Sequence, residues 1–95
     1  MSEEELVAAA REASRAERAV VSRHARMRMK ERGLEKWQLW GIVENGRVAS
    51  VDADGVPNPT VNFEGELADG AATVAVVAYR LPPGLAVIVT AYVAD

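Results

Sequence analysis

Apolar residues recur at helical spacing through the first half of the chain and as alternating or continuous runs through the second, so helices come first and strands follow. From Glu3 to about Ala19 the chain is rich in Ala, Glu and Arg, all good helix formers. Leu6, Ala9 or Ala10, Ala13, Ala16 and Val20 mark one face of that helix. Ser2 followed by Glu5 has the spacing of a capping box, with Glu3 and Glu4 well placed for the helix dipole. The apolar face is mostly alanine, which buries little area. Residues 1–19 are therefore expected to form a helical appendage that docks weakly, or docks on a partner.

Val20-Val21-Ser22 is a short β-branched run and a candidate edge strand. Ser22 is the expected cap of a second helix running to Gly33, the residue type that ends helices in a left-handed conformation. Met27 and Met29 are expected to cover apolar surface. Leu34 to about Glu44 reads as a third helix with a broad apolar face of Leu34, Trp37, Leu39 or Trp40, Ile42 and Val43. Both tryptophans are expected to pack in or just under the core, with an exposed tryptophan that stacks a base as the alternative, and Asn45-Gly46 to stop the helix.

Four strands are expected after that stop. Arg47–Val51 is short and ends in the turn-rich Asp52-Ala53-Asp54-Gly55. Thr60–Glu66 alternates like a half-buried strand, and Asp69-Gly70 signals a hairpin. Ala72–Tyr79 and Leu85–Val93 are nearly continuous apolar runs, read as neighbouring central strands joined through the turn Leu81-Pro82-Pro83-Gly84. The expected architecture is α+β: N-terminal helices, then a four-stranded, mainly antiparallel sheet, with residues 20–95 as the domain.

Composition narrows the chemistry. Ninety-five residues make one small domain. There is no cysteine and only one histidine, so thiolate chemistry, zinc–thiolate clusters and His-rich metal sites are excluded, and no cofactor is expected. No apolar run reaches the roughly 20 residues that span a bilayer, and the N-terminus is acidic rather than signal-like. No membrane partner and a cytoplasmic location are expected. Charge is segregated: residues 1–10, 11–47 and 48–95 carry balances of −3, +5 and −5, which make up the net −3. A basic front half can meet a polyanion or an acidic partner; equally, the two halves can complement each other within the fold.

The basic segment holds the single histidine. In Ser22-Arg23-His24-Ala25-Arg26-Met27-Arg28-Met29-Lys30-Glu31-Arg32-Gly33, four-residue steps put His24, Arg28 and Arg32 along one helical stripe about 12 Å long. A group that moves protons near neutral pH then lies beside two permanent cations. Metal-free RNA cleavage needs that set: a base or acid for the ribose hydroxyl and leaving oxygen, and cations for the phosphate. Arg26 and Lys30, on a neighbouring face, suit contacts along the RNA backbone. The plain structural alternative is a solvated helix surface, with His24 packing near the helix start and the arginines paired to Glu31 or Glu35.

The pattern Ser-x-His-Ala-x-x-Arg-Met-x-x-Arg-Gly, an apolar helix ending in Asn-Gly, and a meander closing on Thr-x-Tyr resembles a bacterial family of small proteins of unknown function. The matching residues are Ser22, His24, Ala25, Arg28, Met29, Arg32, Gly33, Asn45, Gly46, Thr90 and Tyr92. Family members are often encoded beside antitoxins. The family is regarded as a branch of the superfamily of metal-independent ribonucleases that includes barnase and RelE. The resemblance covers residues 20–95. It implies a RelE/barnase-like fold, toxin-like endoribonuclease activity, an RNA substrate and a cognate antitoxin. The family often ends in Tyr-x-Pro-Asp, and here the string is Tyr92-Val93-Ala94-Asp95.

Thr90 and Tyr92, two apart on a strand, share one face of the sheet. Tyr92 can stack a base or donate a hydrogen bond, and Thr90 can orient His24 or contact phosphate; only the resemblance implies that the sheet brings them to the helix. The expected catalytic set is His24, Arg28, Arg32 and Tyr92, with Arg26, Lys30 and Thr90 binding substrate. Two other classes compete: a non-catalytic RNA- or protein-binding module, and an interaction domain using the first helix. The small residues of that helix also allow a homodimer contact.

Overall fold

Ser2 caps the first helix, α1 (Glu3–Arg15), through the anticipated box: its hydroxyl accepts from the Glu5 N–H at 3.1 Å, and its own N–H donates to Glu5 Oε1 at 2.9 Å. In the computed structural model, which describes residues 1–67, 69–82 and 84–94, the chain continues through β1 (Ala19–Val21), α2 (Arg23–Arg32) and α3 (Lys36–Asn45). The strands β2 (Arg47–Asp52), β3 (Thr60–Glu66), β4 (Ala72–Arg80) and β5 (Leu85–Val93) follow. Pro83 of the expected Leu81–Gly84 turn and Asp95 of the closing string lie outside the described residues.

The sheet has five strands and is mixed, in the order β1-β5-β4-β3-β2. This corrects the expected strand number of four and adds one parallel pairing to a sheet whose other three pairings are antiparallel. The short run before Ser22 joins the sheet as β1, parallel to β5, with Val20 opposite Val87. The other pairings are antiparallel. A parallel partner needs a long connection, and here the chain from α2 to β4 supplies it.

One face of the sheet carries the helices. Val61, Phe63, Ala75, Val77, Tyr79, Ala86, Ile88 and Ala91 form the core with residues of all three helices. Leu6, Ala10 and Ala13 of α1 are fully buried there. The helix expected to dock weakly instead fills the core, because alanine allows its backbone to come close to the sheet. Arg11 adds a polar fastening, donating from Nε and Nη2 to the carbonyls of Val43 and Gly46 at the end of α3.

A bulge in β5 matters for the site. Val77 pairs with Ile88 and Val76 with Thr90, so Val89 is the extra residue. It lets Ile88 and Ala91, three apart, both face the core.

Candidate functional site

Helix α2 is set by its ends. Ser22 Oγ accepts from the Ala25 N–H at 3.1 Å and donates to the Val89 carbonyl at 3.1 Å, so the helix starts on the β5 bulge. Gly33 ends it in the left-handed conformation at φ 65°, as expected. Ala25 and Met29 are the buried seam, while Met27 points to solvent, against the expectation that it covers apolar surface.

The seam divides the basic residues. Steps of about 100° per residue put His24 and Arg28 on one flank of it, with Arg32 continuing the row, and Arg26 and Lys30 on the other. All five are exposed. Arg28 pairs with Glu31 at 3.3 Å, and both side chains are about half exposed. No side-chain hydrogen bond or ion pair engages His24, Arg32, Arg26 or Lys30 among the described residues.

Thr90 and Tyr92 sit opposite Val76 and Val74, so they share the sheet face turned away from α1 and α3. Thr90 is half-buried and Tyr92 exposed. Arg26 and Lys30 border a depression with α3, which leaves the His24–Arg28 flank turned away from α3 too. The two parts of the expected catalytic set start from one junction, since Ser22 lies two residues before His24 and its bonding partner Val89 one before Thr90. No hydrogen bond links the parts among the described residues.

The Arg26–Lys30 flank has neighbours the sequence reading missed. These cations, with Met29, Leu34, Glu35, Lys36 and Trp37, line a depression of about 560 Å3 between α2 and α3. Trp37 is 72% exposed, which corrects its expected place in the core; Trp40 does pack against the core. The signal was present: helical stepping from buried Leu39 puts Trp37 about 160° away, nearly opposite the seam. A larger groove, about 720 Å3, lies elsewhere, between α1 and β2. Glu3, Glu4 and Glu12 line it together with Arg11 and Arg15, and none of the expected site residues does.

Among the described residues no cluster of three or more His, Cys, Asp or Glu could hold a metal ion, and no helix is long and apolar enough to cross a membrane. The molecule is thus a small α+β domain with a basic helix packed against β5 of its sheet. Residues 21–93 match the family described as Domain of unknown function (DUF4258), and the chain belongs to that family. The match begins at the end of β1, so α1 lies outside it. No curated protein and no solved structure matches the chain.

Proposed function

We propose that this domain is a toxin-like, metal-independent endoribonuclease that holds RNA phosphates along α2 and transfers protons through His24. The observation that carries the reading is the concentration of Arg23, Arg26, Arg28, Lys30 and Arg32 on one exposed helix with the chain's single histidine. Five cations against one carboxylate, Glu31, make α2 the most basic helix of an otherwise acidic chain, and such a surface attracts phosphate.

In the proposed reaction His24 takes the proton of a ribose 2′-hydroxyl. The O2′–phosphorus bond forms, the bond to the 5′ oxygen breaks, and a 2′,3′-cyclic phosphate remains. The leaving oxygen takes a proton from solvent or from the Tyr92 hydroxyl. Arg28 and Arg32 offset the charge of the five-coordinate phosphorus. Thr90, next to the bulge that anchors α2, helps to position the phosphate. A co-encoded antitoxin that covers α2 would silence the activity, and a RelE/barnase-like placement of the sheet and helices fits this arrangement.

One observation favours a second reading, a non-catalytic RNA-binding module: no hydrogen bond fixes the His24 ring among the described residues. A single assay separates the two. Purified protein is incubated with a structured RNA in the presence of a chelator, beside His24→Ala. The nuclease reading expects cleavage to cyclic-phosphate ends that disappears in the variant. Intact RNA bound with strong salt dependence by both proteins would overturn it in favour of the binding module.

A further inference from the structure

We infer that the α2/α3 junction is a binding track for single-stranded nucleic acid, with Trp37 as its base-stacking platform. Three depressions adjoin along this surface. The first, about 250 Å3, is lined by β1, Arg26, Lys36 and Trp40. The second, about 560 Å3, shares Arg26 and Lys36 with it and adds Lys30 and Trp37. The third, about 470 Å3, shares Trp37 with the second and runs along Gln38, Gly41, Asn45 and Gly46 to Gly65 of β3.

The order of groups along the track is that of a nucleic-acid strand. Arg26, Lys30 and Lys36 offer three cations against Glu35 in the first two depressions, so a phosphate backbone is attracted there, while Glu66 at the far end of the third keeps the backbone on the α2 side of Trp37. No carboxylate takes any of the three cations in an ion pair among the described residues. Past them, Trp37 stands 72% exposed between two depressions. An indole so placed keeps its apolar faces in water until something flat covers it, and an unpaired base does so at low conformational cost. Beyond Trp37, the Asn45 amide can donate to and accept from base edges, and the Gln38 amide can donate through its NH2 while its oxygen accepts from the Glu35 N–H at 2.8 Å. Gly41 leaves the floor open: a Cβ added there would meet nothing within 4 Å.

A duplex keeps its bases stacked inside and cannot use Trp37, so the track selects single strands. A protein partner would also cover an exposed indole, but three free cations in line with it favour a polyanion. This assignment extends the RNA reading above by naming strand state and the platform, and it does not depend on His24 chemistry.

The test uses the full chain carrying His24→Ala, so that cleavage cannot alter the probe. Binding is measured to fluorescein-labelled polyuridylate and to the same strand annealed to polyadenylate. Single strand is expected to bind more tightly, and Trp37→Ala to weaken it roughly tenfold. Gly41→Glu, which puts a carboxylate into the open floor, is expected to weaken it as well, with a melting temperature equal to or above that of the parent showing that the fold is intact. Trp37→Phe should restore most of the affinity. Equal binding of both probes, or single-strand affinity indifferent to Trp37→Ala, would overturn the track. So would Trp37 fluorescence that shifts with protein concentration alone in a Trp40→Phe variant, because a second copy would then be the occupant. Trp37-dependent binding without any cleavage by the unsubstituted protein keeps the track and removes only the nuclease reading.

Discussion

Arg11 donates from Nη2 to the carbonyl oxygen of Gly46, 2.7 Å away, and its guanidinium lies over the Phe63 ring, 5.2 Å from the centroid. Its Nε donates to the Val43 carbonyl at 3.0 Å. One side chain therefore ties α1 to the last carbonyls of α3, where the helix dipole favours a cation, and covers the central aromatic of β3. Arg11→Ala is expected to cost about 3 kcal/mol, from charge-assisted hydrogen bonds and the ring contact together. Arg11→Lys should recover little, because an ammonium cannot span both carbonyls and stack. Chemical denaturation of the three proteins measures this; full recovery by lysine would show that charge alone matters.

Two glycines of the same region should respond oppositely to alanine. At Gly46, a Cβ would overlap the carbonyl oxygens of Ile42 and Glu64, both backbone. Its φ of −76° shows that close approach, not handedness, requires glycine there. Gly46→Ala is expected to destabilise by about 1–3 kcal/mol. Gly41 lies inside α3 with open space around it, so Gly41→Ala should stabilise by about 0.5–1 kcal/mol through helix propensity. Melting curves of the pair decide the matter, and a loss at both positions would refute the assignment for Gly41.

Glu17 follows α1 in the left-handed region at φ 62°, and Arg18 donates back to Ala13 at 2.8 Å. That closing turn favours glycine, which has no Cβ to strain. Glu17→Gly is expected to raise stability by roughly 0.5–1 kcal/mol, the left-handed penalty less the freedom glycine gains when unfolded. Denaturant midpoints test it, and a lower midpoint would show that Glu17 makes a compensating interaction.

How much of this could be read from the chain depends on whether a signal was local. Helix caps at Ser2, Ser22 and Gly33, and strands from Thr60 onward, follow from short-range chemistry and were legible. The fifth strand was visible as Val20-Val21, but its parallel partner lies more than sixty residues away, and three β-branched or small residues do not specify a pairing. The role of α1 was misread because alanine counts for little area in isolation, while in the fold it allows close packing. Trp37 was misread by residue type where its angular position pointed outward. The bulge at Val89, which joins the start of α2 to the strand of Thr90, left no mark in the sequence.

The capping box of α1 carries a pH dependence of defined sign. Glu5 is held below the ordinary carboxylate range, first by the Ser2 backbone N–H and then by its hydroxyl. A carboxyl with a lowered folded-state pKa contributes stability that is complete above its unfolded value and disappears as pH falls through its folded value. The side chain is exposed, so the effect is small. Wild type should melt above Glu5→Gln at neutral pH, and the gap should close as pH drops through the carboxylate range. A gap that widens in acid would reverse the assignment.

The charge balance of α2 yields a prediction in the direction of gain. Glu31 is the only carboxylate on α2, and it holds Arg28 at 3.3 Å in an exposed pair. Such pairs contribute only a few tenths of a kcal/mol to stability, so Glu31→Gln should leave the melting temperature almost unchanged. It removes one negative charge from the surface assigned to phosphate and frees the Arg28 guanidinium. RNA affinity is therefore expected to rise several-fold at low salt, and log K against log salt should steepen by about 0.7 if Arg28 gains one single-strand phosphate contact. In Arg28→Ala the same Glu31→Gln change should give a smaller gain and no steepening, since no freed guanidinium remains to bind. If both backgrounds gain equally, the effect is general charge alone, and Arg28 is not a phosphate ligand.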